Sequence, residues 1–227
     1  MEEKINNFIK LNKLFKSHGF NLYLVGGTVR DYLFHIPLSD MDVVTDASPE
    51  EMKAFLPNAN YHFEKFGSVS YKDDEKVKFD ITTLREESEY IDSRHPGNVK
   101  FVKDLKVDVK RRDFTINGLY MDVDLKVIDY VDGEKDIKDK ILRMIGNADK
   151  RLNEDPLRII RAFRFAVDFG LTFDEELDKA IRDNASLLMN LNIEKIEQDI
   201  RKLKGNRAQL FELFELYNIN RFIDVIN

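Results

Sequence analysis

Apolar positions recur at helical spacing over residues 2–17, where Ile5, Phe8, Ile9, Leu11, Leu14 and Phe15 form one face of an amphipathic helix. The short apolar run Asn21-Leu22-Tyr23-Leu24-Val25 then stops at Gly26-Gly27, as a buried strand ending in a turn does. A helix is predicted over 28–34 and a second strand over 41–45. Ser48-Pro49-Glu50-Glu51 marks the next helix start, with Ser48 as N-cap and Pro49 in the first helical position. Strands are expected at 68–71, 77–84, 116–123 and 126–130, the last two as a hairpin around Asp124-Leu125. Residues 86–98 are polar, carry Pro96-Gly97 and read as a mobile loop. From Asp136 onward the period is helical, with helices expected over 136–140, 155–168, 174–185, 193–203 and 207–217. The pattern is that of an α+β chain, mixed as far as a boundary near residue 140 and helical beyond it.

At 227 residues there is room for one generous domain or two small ones. No apolar run approaches the length of a membrane span, so none is expected. The absence of cysteine excludes disulfides, thiolate catalysis and cysteine-based zinc sites. Met1-Glu2-Glu3-Lys4 is acidic and then amphipathic, unlike a secretory signal, which makes the cytoplasm the expected address. A net charge of −6 argues against a protein that is basic all over, but a local patch is enough to neutralise phosphates. Residues 100–112 and 195–207 are two such stretches, either RNA contacts or solvated faces.

The sharpest chemical feature is the strand, Gly26-Gly27 and helix followed by Ser39-Asp40-Met41-Asp42-Val43-Val44. Strand side chains alternate, so Asp40 and Asp42 project from one side. Carboxylates that close repel unless a cation lies between them, and oxygen donors on a rigid strand suit Mg²⁺. Alternation in Lys78-Phe79-Asp80-Ile81 lets Asp80 face the same way as a third carboxylate. Gly26 and Gly27 allow a backbone to approach a phosphate closely, and Arg30 adds charge one turn on. Together these residues suit the binding of a triphosphate for two-metal transfer, with Asp40 and Asp42 as metal ligands. Asp-x-Asp alone is commonplace; its spacing from the glycine turn is what makes it specific.

Leu24-Val25-Gly26-Gly27-x-x-Arg30-Asp31 with Asp40-x-Asp42 resembles the signature of the class II tRNA nucleotidyltransferases (CCA-adding enzymes) and the related bacterial poly(A) polymerases. Three further blocks occur in that family's order. Arg111-Arg112-Asp113-Phe114-Thr115-Ile116-Asn117 is similar to its sugar-recognition motif, and Asp129-Tyr130-Val131-Asp132-Gly133 with Leu142-Arg143 to its head-to-neck segment. Glu154-Asp155-Pro156-Leu157-Arg158-x-x-Arg161-Ala162-x-Arg164-Phe165 is similar to its nucleotide-selecting helix.

The resemblance implies a nucleotidyltransferase-type head over 1–140, a small mixed sheet flanked by helices, and an all-helical neck over 141–227. It implies CTP and ATP as substrates, Mg²⁺ as cofactor and the 3′ end of an RNA, a tRNA above all, as acceptor. Asp113 would accept from a ribose hydroxyl, with Arg112 on a phosphate or base and Asn117 in the same nucleotide-binding motif. Asp155 and Arg158, three apart on one face, would accept from the amino group of C or A and donate to the adjacent ring nitrogen, an order that U and G do not present. The same Asn153-Glu154-Asp155-Pro156 also makes a good helix start. Arg161 and Arg164 either contact the triphosphate or pair with carboxylates. Arg94-His95-Pro96 fits the end of the family's flexible loop, with Ser93 where glycine is frequent; two-metal transfer does not require His95 as a base.

The family also leads one to expect helical body and tail regions that grip the tRNA elbow, whereas the chain closes at Phe222-Ile223-Asp224-Val225-Ile226-Asn227. It is then either the head and neck of something longer or a minimal enzyme that uses less RNA or borrows an RNA-gripping partner. Lys195 stands where an arginine is common, so that contact is not carried over. Poly(A) tailing, A-only or CC-only addition use the same motifs. A nucleotide-binding module without catalysis is the alternative of another class.

Overall fold

The computed structural model describes residues 1–90 and 96–219. Arg94 and His95 of the expected loop fall outside them, as do Ser93 and the closing stretch from Phe222. The chain divides into two compact units.

The first unit comprises Met1–Glu89, Pro96–Arg112 and Ile116–Glu134. Helix α1 (Glu2–Ser17) buries Ile5, Phe8, Leu11 and Phe15, the face its spacing predicts. Asn12 Nδ2 donates to the Leu22 carbonyl at 2.8 Å, tying α1 to β1 (Leu22–Val25). Then follow α2 (Gly27–Leu33), β2 (Met41–Thr45), α3 (Pro49–Lys53), β3 (Ser68–Lys72), β4 (Lys78–Thr83), β5 (Arg85–Tyr90), β6 (Pro96–Phe101), α4 (Leu105–Asp108), β7 (Tyr120–Met121) and β8 (Val127–Ile128). The six-stranded sheet has the order β3-β4-β2-β1-β7-β8, while β5 and β6 pair separately. It is mixed: β2 and β4 run parallel and the other neighbours antiparallel. Parallel neighbours need a crossover, which here runs through α3 and β3. Alternation along β4 buries Phe79 and Ile81 and leaves Lys78 and Asp80 on the other face. Ser48 caps α3 as expected, and the structure completes the cap as a capping box, with Ser48 Oγ accepting from Glu51 N at 3.2 Å and Glu51 Oε2 accepting from Ser48 N at 2.8 Å.

The second unit holds Asp113–Thr115 and the chain from Lys135 onward. Helix α5 (Gly133–Asp139) leads into β9 (Ile141–Leu142), α6 (Ala148–Glu154), α7 (Leu157–Phe169), β10 (Thr172–Phe173), α8 (Glu175–Asn184), α9 (Ile193–Ile200) and α10 (Arg207–Leu216). Apart from the two-residue parallel pair of β9 and β10, this unit is helical. At its centre, α7 buries Ile159, Ile160, Ala162 and Phe163 completely. Phe163 packs against Phe173, Phe214 and Tyr217 at centroid distances of 5.8, 5.6 and 5.1 Å.

Four expectations about elements need correction. Residues 86–98 were expected as a loop, yet strands Arg85–Tyr90 and Pro96–Phe101 occupy its flanks. Such a ribbon is held by main-chain pairing and needs no apolar alternation. The strand expected at 116–123 is a 3₁₀ turn, Thr115–Asn117, followed by only the two residues of β7. In place of the strand over 126–130 only Val127–Ile128 pairs, although the hairpin itself forms, with Leu125 in the left-handed region (φ 61°). Finally, the helix expected over 155–168 begins at Leu157. Asp155 is extended, and α6, which its polar sequence concealed, ends just before it.

Candidate active site

The first unit gathers most of the expected side chains on the face around the carboxylates. Asp42 on β2 and Asp80 on β4 are paired in register, and Asp40 lies two residues before Asp42. The Asp42 amide donates to Thr28 Oγ1 at 2.8 Å, which fixes this end of β2 to α2. Burial and the neighbouring Asp80 push the Asp42 carboxyl up to about 6, against the opposing pull of Arg112 and Arg30; Asp40 adds to the rise. Lys78 sits across the other two carboxylates, its Nζ 3.0 Å from Asp40 Oδ2 and 2.8 Å from Asp80 Oδ2.

The glycine turn stands over this group. Gly26 has φ 60° and ψ −123°, a conformation open essentially to glycine alone. A Cβ on Gly27 would meet Asp42 Oδ2 at 3.2 Å and Arg30 Nη2 at 3.4 Å. Arg30 is 8% exposed, so its position is set by what it bonds. Nε and Nη2 donate to Asp31 Oδ1 at 2.9 and 2.6 Å, and Nη1 donates to Asn117 Oδ1 at 2.7 Å. Asn117 therefore acts on Arg30. Because α2 has only seven residues, the arginines, more than a helix dipole, give the turn its positive character.

Arg112 reaches the turn from the other side; a Cβ on Gly26 would lie 3.5 Å from its Nη1. It is aimed by Asp108, a fully buried carboxylate that sequence reading did not single out. Asp108 Oδ2 accepts from Arg112 Nη2 at 2.9 Å, Arg112 Nε at 3.1 Å and the Tyr120 hydroxyl at 2.8 Å. Its Oδ1 accepts from Arg111 Nε at 2.8 Å and the Arg85 amide at 3.1 Å. Burial alone would raise the Asp108 carboxyl, but the Arg112 and Arg111 guanidiniums and the bonds from Arg111 and Tyr120 hold it well below the usual carboxylate range. The signal was its placement four residues before Arg112 and three before Arg111, on one helical face.

The remaining expected residues lie in the second unit. Asp113 Oδ1 accepts from the Phe114 amide at 2.8 Å, and Oδ2 accepts from Arg161 Nε at 2.9 Å and from Arg161 Nη2. Asp155 Oδ1 caps the Leu157 amide at 3.1 Å, while its Oδ2 faces Arg158 Nε at 3.9 Å. Arg158 is buried, and its Nη1 donates to the Arg151 carbonyl at 2.6 Å. Arg164 is buried over the Phe165 ring; its Nε donates to Asp199 Oδ1 at 2.9 Å and its Nη1 lies 3.6 Å from Asp168 Oδ2. Of the two readings open for Arg161 and Arg164, the structure displays the carboxylate pairings.

The donor set around Asp42 suits a hard divalent cation: carboxylate oxygens on adjacent strands, one of them buried beside another carboxylate, as its raised pKa reflects. Among the described residues no three acidic or histidine side chains already converge on one point. Lys78 engages two of the three carboxylates concerned. Lys78 was also missed as a site residue, although it shares a strand face with Asp80 just as Asp40 does with Asp42.

A carboxylate-bearing mixed sheet beside a glycine turn is the architecture of a nucleotidyltransferase head. The chain belongs to the family defined by the poly A polymerase head domain, which residues 22–143 match. Its relatives include a CCA-adding enzyme of Staphylococcus saprophyticus, 39% identical over 195 residues, covering 85% of this chain and 48% of that one. The crystal structure of the Bacillus stearothermophilus CCA-adding enzyme in complex with CTP superimposes with a TM-score of 0.85 at 33% identity, covering 94% of this chain and 52% of that one. A tRNA nucleotidyltransferase complexed with a primer tRNA and an incoming ATP analog gives a TM-score of 0.76 at 29% identity, covering 93% and 61%. The chain thus spans about half the length of the curated relatives it matches. No helix among the described residues is long and apolar enough to cross a membrane.

Proposed function

We propose that this chain is the catalytic head and neck of a template-independent RNA nucleotidyltransferase that adds C and A to tRNA 3′ ends, working in the cytoplasm. The observation that carries the reading is the in-register Asp42–Asp80 pair, with Asp40 alongside, set against a glycine turn flanked by Arg30 and Arg112. In the reaction the terminal 3′ oxygen of the RNA bonds to the α-phosphorus of CTP or ATP. The bond from that phosphorus to the bridging oxygen breaks, pyrophosphate leaves and the hydroxyl proton passes to solvent. Asp40 and Asp42 would hold Mg²⁺, with Asp80 beside them; bound there, the ion offsets phosphate charge and acidifies the attacking hydroxyl. Gly26-Gly27 lets the triphosphate approach the backbone, and Arg30 and Arg112, held in place by Asn117 and Asp108, face it with positive charge.

In the neck, Asp155 and Arg158 supply the acceptor and donor that select C and A. Arg161 is read as the residue that positions Asp113, the ribose acceptor, and Arg164 as the one that fixes α7 to Asp199.

The test is incubation of the protein with tRNA lacking its CCA end, Mg²⁺ and each labelled NTP, singly and combined. RNA-gripping regions or a partner are supplied in trans in a parallel reaction. Addition of two C and one A followed by a stop supports the reading. Repeated A addition identifies a poly(A) polymerase, A alone or CC alone a partial enzyme, and nucleotide binding without transfer a non-catalytic module.

A further inference from the structure

We propose that Lys78 is a tethered counter-ion of the carboxylate set, and that a divalent cation entering the site must displace its ammonium. The inference rests on the metal-site reading above and concerns this chain's own lysine. Lys78 and Asp80 are two residues apart on one face of β4, and Asp80 is the register partner of Asp42. The ammonium therefore lies within the carboxylate group, with Nζ within 3.0 Å of oxygens on both Asp40 and Asp80. A divalent cation requires carboxylate oxygens from the same group and brings twice the charge. The two cations compete for the same acceptors.

Two features make the displacement feasible. Lys78 is 44% exposed on its side chain, and exposed ion pairs are weak. Next to it opens a pocket of about 480 Å³ whose lining mixes Glu3, Glu75 and Asp40 with Lys4, Lys72 and Lys76. A released ammonium can swing into this open space and be hydrated there while its stem stays on the strand. Lys78 thus sets the metal concentration at which the site fills, offsetting one of the two charges on Asp40 and Asp80 until then. An arginine at this position, whose planar fork matches carboxylates better, would compete harder. A methionine would fill the space without charge.

The experiment is a Mn²⁺ titration of the nucleotide-free protein, following free Mn²⁺ by EPR, for wild type, Lys78→Met, Lys78→Arg and Asp42→Asn. Thermal melts confirm that each variant is folded. The expected result is a Kd for Mn²⁺ lowered about three- to ten-fold in Lys78→Met. It should be raised in Lys78→Arg and largely lost in Asp42→Asn. Equal or weaker binding by Lys78→Met, with Asp42→Asn still deficient, overturns the role of Lys78 and leaves the metal site standing. Wild-type binding by Asp42→Asn removes the metal reading, and the inference about Lys78 with it.

Discussion

Asp42 and Asp80 are register partners across the single parallel strand pair of the six-stranded sheet. Adjacent strands lie about 4.8 Å apart, so two carboxylates at one level on one face share each other's field. Burial, and then that proximity, raise Asp42 to about 6.

In the unfolded chain the same group titrates near its ordinary value of about 3.9. Between the two values the folded protein holds the extra proton, so the stability of the metal-free protein falls as pH rises from about 4 through about 6. Asp42→Asn removes this dependence. By urea unfolding, the metal-free variant is expected to exceed wild type by about 1–3 kcal/mol at pH 7.5, with the difference vanishing near pH 4. Added Mg²⁺ should stabilise wild type and not the variant, and the variant should lack transferase activity.

The two turn glycines should fail differently. Gly26→Ala places a side chain where φ is 60° and ψ −123°, and an unfolding cost of about 1–3 kcal/mol is expected. Gly27→Ala keeps the fold but crowds Asp42 Oδ2 at 3.2 Å. Its thermal midpoint should stay near wild type while the transfer rate falls about 10- to 100-fold.

Asp108→Asn leaves the partly buried Arg112 facing a neutral amide and leaves Arg111 with Glu87 alone of its two carboxylates. A loss of about 3–5 kcal/mol in denaturant unfolding is expected. Because the Asp108 carboxyl is depressed in the fold, its contribution is present above its unfolded pKa near 4 and is lost as pH falls below it. The difference between wild type and variant should therefore shrink in acid.

Arg158→Ala should relax base choice more than it weakens triphosphate binding, read as incorporation from each of the four NTPs. The loss of its bond to the Arg151 carbonyl should cost about 1–2 kcal/mol of stability. Unchanged selectivity would remove Arg158 from the selecting role.

The parts of the fold legible in the sequence were those with a strong period or a named cap. The α1 stripe, the β1 run into Gly26 and the Ser48 N-cap all stand where the pattern put them. Helix α6 was hidden because it buries only Ala148, Arg151 and Leu152, too thin a stripe to show a period. The strand expected at 116–123 was misread because Ile116 and Leu119 are buried outside any strand.

At the candidate site, the carboxylates and glycines were legible because their pattern is local to three short segments, 24–31, 39–44 and 78–81. Lys78 and Asp108 carried only the weak local signals of one strand face and an i, i+3/i+4 spacing, and their roles came into view with distant contacts: Asp40 for one, Arg85 and Tyr120 for the other.

The parallel pairing of β2 with β4 also dictates when the site can exist. Asp42 and Asp80 belong to segments separated by α3 and β3, and pairings so distant along the chain form slowly. Until β4 docks, each carboxylate is an ordinary hydrated acid and no concentrated negative charge opposes collapse. The electrostatic penalty is deferred to the step in which β4 docks on β2, so a refolding chain would acquire its response to Mn²⁺ only with that step, and metal uptake would serve as a clock for that docking.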